Sequence, residues 1–294
     1  MKKILKIILA TICLCAGLSF IQGKDTQAAS YKLSGEKEKI GSYYIWVNYT
    51  DGTLRVSKSS SGSGKVIAKK PSGKYGYMSG PIISNGSTIF YTCGNWNEGR
   101  WNYLYKINVT GKSKVLLRKS KTSMTLDAYY NGYLYLDTDT VDDCTLIHLA
   151  SIKVSTKSYK IVKKNASFYK QYKNYLICMP NTGDFSMLPI YLYNMSTRKC
   201  SSKLATGCTP NISGGKLYYA YTTYSTYSSS KFTFKIIRCD LNGKNKKTVV
   251  SKLRAGAINK ITNKYVYFSN WSGLNTYEYR YDIKNKSTKL LKKN

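Results

Sequence analysis

The chain repeats one short unit six times, and this repetition limits the possible folds more than any single residue does. In each copy a turn precedes an aromatic-rich strand, and the turns from Ser42 to Lys264 recur with a mean period of about 44 residues. The strands begin at Tyr43, Ile89, Tyr133, Tyr175, Leu217 and Tyr265. Such a period is typical of radial arrays of small β-sheets, which cover their strand edges by closing into a ring.

Three further strands complete each unit. The strand after the aromatic one alternates apolar and polar residues, as in Leu104-Tyr105-Lys106-Ile107, which predicts one packed and one wet face. A turn such as Asn242-Gly243-Lys244 and a short apolar strand follow. Apolar stretches between units, such as Ile82-Ile83, would form the innermost strand of the next unit. The sequence therefore predicts an all-β fold, a six-bladed β-propeller with four-stranded antiparallel blades, as a single domain over residues 30–294.

Residues 1–29 have the pattern of a secretory signal peptide. The basic start Met1-Lys2-Lys3 is followed by a nearly continuous apolar run from Ile4 to Ile21, and small residues lie at Ala28-Ala29. This run is at the lower limit for spanning a bilayer, so a retained membrane anchor is the alternative. We therefore expect a secreted protein, extracellular or attached to the cell wall, with no membrane span in the mature chain.

Cysteine spacing leaves the pairing of the thiols open. Six thiols allow 15 pairings, so both free buried cysteines and one or two disulfides are consistent with the sequence. No two of the six have C-x-x-C spacing, which disfavours a zinc knuckle or a redox motif. We predict no metal and no cofactor. The cysteines beyond the predicted signal peptide are Cys93, Cys144, Cys178, Cys200, Cys208 and Cys239.

The repeat carries a family resemblance. The turn Asp240-Leu241-Asn242-Gly243-Lys244-Asn245, with the strands before it, resembles the repeat of low-density-lipoprotein-receptor-type propellers. Residues 40–294 as a whole resemble secreted bacterial proteins with an LDL-receptor-related β-propeller domain of unknown function. The chain departs from the receptors because it has no Tyr-Trp-Thr-Asp tetrapeptide, and only Asp240 and Asp282 keep the acidic residue before the hairpin turn. The resemblance implies a six-bladed ring and an extracellular setting, and it implies no catalytic residues.

Basic residues outnumber acidic ones by 47 to 14, which gives a formal net charge of +33. The turns between the third and fourth strands of the units contain 16 Lys or Arg and only two acids. The connections between the second and third strands contain seven acids and only Arg100 and Lys231. In a propeller these two sets of loops lie on opposite faces, so the sequence predicts one cationic face. The candidate residues for binding an anionic polymer there are Lys244, Lys246, Lys247, Lys284, Lys286 and Lys289.

A cationic face outside a cell would meet anionic wall polymers, lipid or nucleic acid through long-range, salt-sensitive attraction. Nucleic acid is disfavoured because the sequence lacks a helix-turn-helix, a zinc finger and a repeated basic-aromatic platform. The expected partners are a protein, a glycan or an anionic cell-wall polymer. The alternative is that the lysines only keep a Tyr-rich β-protein soluble and protect its strand edges.

Groups suited to catalysis are few. His148, the one histidine, lies between apolar residues in a strand, where a packed or surface side chain is expected rather than a general base. The predicted innermost strands offer only Asp127, whereas glycoside hydrolysis needs two carboxylates at a defined separation. We therefore predict no catalytic residues. An acidic run in one loop has oxygen ligands that could hold Ca²⁺, but it lacks the Gly and the distal Glu of a calcium-binding loop, so a solvated loop is expected. The run consists of Asp137, Asp139, Asp142 and Asp143.

Aromatic residues in the connections between second and third strands are the remaining candidates for binding. They stand beside Asn, Ser and Gly, a setting that suits stacking on a sugar ring or anchoring of a peptide, although packing of the loops explains them equally well. These residues are Trp96, Trp101, Tyr224, Tyr227 and Trp271. The sequence favours a secreted, non-enzymatic binding protein, and the alternative is a hydrolase or lyase with its site in the central channel.

Overall fold

The structure is a computed structural model and describes residues 31–33, 35–95, 101–139, 146–181, 187–222, 232–272 and 275–293. These residues form 25 strands, β1 to β25 in chain order, and no helix. Among these residues there is no helix long and apolar enough to cross a membrane.

The strands assemble into antiparallel sheets of neighbours in the chain. The first sheet contains β2 (Glu38–Ile40), β3 (Tyr43–Asn48), β4 (Thr53–Ser57) and β5 (Lys65–Lys69). The second contains β6 (Gly76–Ser84), β7 (Thr88–Asn95), β8 (Trp101–Asn108) and β9 (Val115–Ser120), and β1 (Tyr31–Leu33) is added beside β6. The third contains β10 (Thr125–Tyr130), β11 (Tyr133–Thr138), β12 (His148–Lys153) and β13 (Ser158–Lys163).

The fourth and fifth units of the repeat share one eight-stranded sheet. The fourth unit supplies β14 (Ser167–Tyr172), β15 (Tyr175–Met179), β16 (Leu188–Asn194) and β17 (Lys199–Cys200). The fifth supplies β18 (Ala205–Ser213), β19 (Lys216–Thr222), β20 (Phe232–Cys239) and β21 (Lys247–Ala255). The last sheet contains β22 (Ala257–Ile261), β23 (Tyr265–Ser272), β24 (Asn275–Asp282) and β25 (Ser287–Lys293).

Four-stranded antiparallel sheets are confirmed, but hydrogen bonding divides the described strands into five sheets rather than six. The reason lies in the closing strand of the fourth unit, which the sequence marks only weakly before Leu204. Here β17 pairs with only the last two residues of β16, and the first three residues of β16 pair instead with Ala205–Gly207 of β18. The two units therefore join edge to edge.

The aromatic strands lie second in each unit, and β7, β11, β15 and β19 are buried on both faces. Successive side chains of a strand point to opposite sides, so Phe90 and Tyr91 enter different core clusters, as do Leu176 and Ile177. This burial explains why these strands are nearly continuous runs of apolar and aromatic residues. Each of the five described clusters fills the space between two successive units, and none of them joins the first sheet to the last.

The innermost strands are irregular, and one of them has an additional neighbour. A β-bulge interrupts the pairing of β10 with β11 between Leu126 and Ala128, which places Asp127 at the bulge. The strand β1 crosses to the second sheet, where Tyr31, Lys32 and Leu33 pair antiparallel with Ser84, Ile83 and Ile82 of β6.

The five cysteines within the described residues are free, so the disulfide alternative is wrong for pairs among them. Burial raises the pKa of Cys93 to about 11 and keeps its thiol protonated at neutral pH. These residues pack as small apolar side chains. They are Cys93, Cys178, Cys200, Cys208 and Cys239, and Cys144 lies outside the described residues.

Candidate functional site

Two carboxyl groups of the third sheet meet beside the N-terminal strand. Asp127 lies at the bulge of β10, and its side chain is only 2% exposed. Asp137 lies on the neighbouring strand β11, opposite Thr125, and is half-buried. The side chains of Asp127 and Asp137 interact. The structure therefore forms a carboxyl pair that the sequence did not predict, because Asp137 stood in a run interpreted as a solvated loop.

Lysine and aromatic groups from other sheets enclose this pair. Lys32 Nζ of β1 lies 2.7 Å from Asp127 Oδ1 and 4.6 Å from the centre of the Phe168 ring. The backbone N–H of Phe168 donates to both carboxylate oxygens of Asp137, at 2.9 and 3.1 Å. The cluster thus joins β1, the third sheet and the first strand of the eight-stranded sheet.

The electrostatics of the pair differ from those of exposed carboxyls. Burial raises the pKa of Asp127 to about 6, although the charge of Lys32 acts in the opposite direction. Burial raises the pKa of Asp137 to about 8, and the neighbouring charge of Asp127 adds to the effect. Two carboxylates in contact cannot both ionise cheaply, so the pair holds one proton at neutral pH. Asp127 Oδ2 is buried and has no hydrogen-bond partner among the described residues.

A shared proton gives the pair acid and base character, but its surroundings restrict access. Asp127 is buried, and Lys32 of β1 lies against its Oδ1. Within the described residues, no group of three or more His, Cys, Asp or Glu is placed to hold a metal ion. In the observed arrangement the pair fixes the position of β1.

The other members of the predicted acidic run and the histidine have local roles where they are described. Asp139 accepts a hydrogen bond from the Ser123 N–H at 2.7 Å, and Asp142 and Asp143 lie outside the described residues. His148 begins β12 and accepts a hydrogen bond through Nδ1 from the Asn165 N–H at 3.3 Å.

Of the predicted aromatic residues, two can be located. Trp101 begins β8 and is half-buried, with Lys119 Nζ 4.2 Å and Lys121 Nζ 5.8 Å from its ring. Trp271 lies near the end of β23 and is 45% exposed. Its ring lies against Gly256, where a Cβ atom would come within 2.2 Å of it. The two belong to different sheets, and Trp96, Tyr224 and Tyr227 lie outside the described residues.

The six candidate lysines are all exposed, and they lie in or just after two hairpin turns. Each turn contains an acidic residue that makes contacts of its own. Lys216 Nζ lies 2.6 Å from Asp240 Oδ1, and Asn245 Nδ2 donates a hydrogen bond to Asp240 Oδ2 at 2.8 Å. The hydrogen bond from Lys216 contributes most to lowering the pKa of Asp240. Asp282 accepts hydrogen bonds from the N–H groups of Lys284 and Asn285, both at 2.9 Å. The carboxylates thus stabilise the turns, and the ammonium groups face solvent. Lys244 and Lys246 lie in the first turn and Lys247 begins β21, whereas Lys284 and Lys286 lie in the second turn and Lys289 lies in β25 rather than in the predicted turn.

A cleft of about 330 Å³ opens between the corresponding turns of the first two sheets. Its floor includes the buried side chains of Val56 and Val109. Lys58, Lys65 and Thr110 lie on its rim, and Lys65 Nζ donates to the Thr110 carbonyl at 3.1 Å. Its two cations, Lys58 and Lys65, are among the 16 basic residues of the turns that the sequence predicted to be cationic.

Comparison with known proteins supports the fold. No protein-family profile matches the sequence, and no curated protein is significantly similar to it. The β-propeller domain of the Trilobed protease from Pyrococcus furiosus, described as having an open velcro topology, is similar with a TM-score of 0.51 and 10% identity, over 75% of this chain and 72% of that one.

Two further solved structures resemble the chain. The uncharacterized protein lmo1340 from Listeria monocytogenes EGD-e matches with a TM-score of 0.50 and 11% identity, over 90% of this chain and 83% of that one. The tricorn protease matches with a TM-score of 0.55 and 11% identity, over 90% of this chain but only 31% of its own. At such low identity the likeness concerns the fold alone, and the chain is a β-propeller protein.

Proposed function

We propose that the chain is a secreted, non-enzymatic, six-bladed β-propeller that binds an anionic polymer, such as a wall polymer or an acidic glycan, at the cell surface or in the extracellular space. The count of six blades rests on the repeat. The eight-stranded sheet contains two consecutive units, which we count as two blades. Secretion follows from the signal-peptide pattern of residues 1–29.

The observation that carries the proposal is that the six lysines are exposed, while the two acidic residues of their turns are bound by other groups. Asp240 is held by Lys216 and Asn245, and Asp282 accepts from the backbone of its own turn. A cluster of uncompensated ammonium groups attracts polyanions at long range and weakens as salt screens it. The cleft with Lys58 and Lys65 lies among the turns of the same class and extends the cationic surface.

Neutralising the six lysines to glutamine should weaken binding to a polyanion such as polyphosphate by about tenfold or more at low salt, because clustered charges act together. Binding of the unmodified protein should decrease steeply between about 0.1 M and about 1 M salt, where the Debye length falls from about 10 Å to about 3 Å. Binding can be measured by titration at several salt concentrations.

A matched control removes six exposed lysines that lie outside the two turns and therefore gives the same net charge. Equal losses of affinity in the two variants would mean that the lysines only confer solubility, and the proposed cationic site would be rejected. The control positions are Lys69, Lys74, Lys121, Lys164, Lys252 and Lys292.

The carboxyl pair favours a second candidate function, a hydrolase or lyase in the central channel. Asp127 and Asp137 share a proton, as an acid–base pair must, but β1 covers them. We expect no turnover of ester, lactone or glycoside substrates, with or without divalent metal ions. Turnover that both Asp127→Asn and Asp137→Asn abolish would overturn the non-enzymatic assignment, whereas turnover that survives in both variants would point to a contaminant.

A further inference from the structure

The N-terminal strand β1 is held in the way that a bound peptide is held. It contains three residues, and among the described strands it pairs with β6 alone, at Ile82, Ile83 and Ser84. This edge lies beside β10, the first strand of the third sheet. The pairing is antiparallel addition of a short extended segment to an open strand edge, a common mode of peptide recognition.

The groove selects the side chains of this segment as well as its backbone. Lys32 is bound by the carboxylate of Asp127 at 2.7 Å and lies over the Phe168 ring at 4.6 Å. Leu33 is 1% exposed and packs in the core cluster between the first two sheets. The groove therefore presents an anionic group and an aromatic face to one lysine, and an apolar recess to the aliphatic residue after it.

The groove is built entirely by residues outside β1. The strand edge belongs to the second sheet, Asp127 to the third, and Phe168 to the eight-stranded sheet. If β1 left, Asp127 would lose its counter-ion and β6 would expose unpaired backbone groups, both of which are unfavourable in a buried setting. An empty groove would therefore bind another segment with the same chemistry, and a longer segment could make more contacts than a strand of three residues.

We propose that this groove is a strand-acceptor site for an extended peptide of another protein that presents a lysine followed by an aliphatic residue, and that residues 31–33 occupy it as an internal ligand. The site is independent of the cationic turns and of their polymer. The groove recognises its ligand through an anion, whereas the turns present cations. A negative binding result for one site therefore does not bear on the other.

The test uses the full chain and two labelled peptides that contain either Tyr-Lys-Leu or Tyr-norleucine-Leu, with binding followed by fluorescence anisotropy. The variant Lys32→Ala weakens the internal ligand and should bind the lysine peptide at least about tenfold more tightly than the unmodified protein does. The norleucine peptide should bind at least about tenfold more weakly than the lysine peptide, since a hydrogen bond to a charged group is lost. Lys39→Ala, which removes an exposed lysine on β2, should leave peptide affinity unchanged.

A photo-crosslinking form of the lysine peptide provides a second measurement on the unmodified protein and does not depend on how Lys32→Ala folds. Crosslinks should map to residues 82–84 and disappear in Asp127→Asn. Crosslinks elsewhere, or equal affinity for the two peptides, would overturn the proposal. A concentration-dependent dimer of the unmodified protein that Asp127→Asn abolishes would assign the groove to a second copy of this chain and would likewise overturn a foreign peptide as its ligand.

Discussion

Replacing Lys32 with methionine is expected to lower the stability of the protein by about 2–3 kcal/mol near pH 8, because Asp127 loses its counter-ion in a buried site. The figure lies below that for a fully buried ion pair because the Lys32 side chain is 34% exposed. Near pH 5 the loss should shrink to about 1 kcal/mol or less, since Asp127, with its pKa at about 6, is then protonated in the folded protein. Denaturant titration at the two pH values measures the difference.

Two variants separate this effect from a general loss of packing. Lys32→Met combined with Asp127→Asn should regain most of the stability lost near pH 8, which gives a coupling energy of about 1–3 kcal/mol for a pair in contact. Lys216→Met breaks the more exposed pair with Asp240 and should cost much less stability than Lys32→Met. If the double variant were as unstable as the sum of its single changes, Lys32 and Asp127 would not be coupled.

Stability should decrease as the pH rises from about 5 to about 9, because of the carboxyl pair. Both carboxyls have pKa values in the folded protein above the ordinary 3.8, at about 6 and about 8. The folded state therefore keeps protons that the unfolded state has already released, so raising the pH favours unfolding until both groups are ionised. One pKa unit corresponds to about 1.4 kcal/mol, and we expect a total loss of about 3 kcal/mol or more. Thermal unfolding across this range measures it.

Asp137→Asn is the control for the pH dependence. The asparagine amide donates permanently the hydrogen bond that the protonated carboxyl donates, and its Oδ1 can still accept from the Phe168 N–H. The variant should therefore lose most of its stability change between pH 5 and pH 9. A decrease in stability as steep as that of the unmodified protein would place its origin in other groups.

The sequence predicted the units well because their signals are local. The aromatic strands at Tyr43, Ile89 and Tyr265 are observed as the starts or early residues of β3, β7 and β23. Alternation and turn residues act over a few positions, so a pattern in the sequence specifies each hairpin. The signals were weakest in the fourth unit: its innermost strand β14, Ser167–Tyr172, contains no aliphatic residue, and the short β17 changed how two units pair.

The carboxyl pair and its lysine could not be predicted because they depend on non-local geometry. Asp137 stands in an acidic run, and only the pairing of β11 places it in the interior. The bulge at Asp127 leaves no pattern in the sequence. Lys32 reaches Asp127 across 95 positions, because β1 joins the second sheet rather than the sheet nearest to it in the chain. The exposed lysines, by contrast, were predictable from turn chemistry alone.

The route of β1 also sets an order of events during synthesis. Most units consist of strands that follow one another in the chain, so their contacts have short sequence separation and can form while later units are still being made. The first strand emerges early, yet its partner edge, its carboxylate and its aromatic neighbour Phe168 arrive only much later. Until residue 168 has left the ribosome, the binding site of β1 is therefore incomplete.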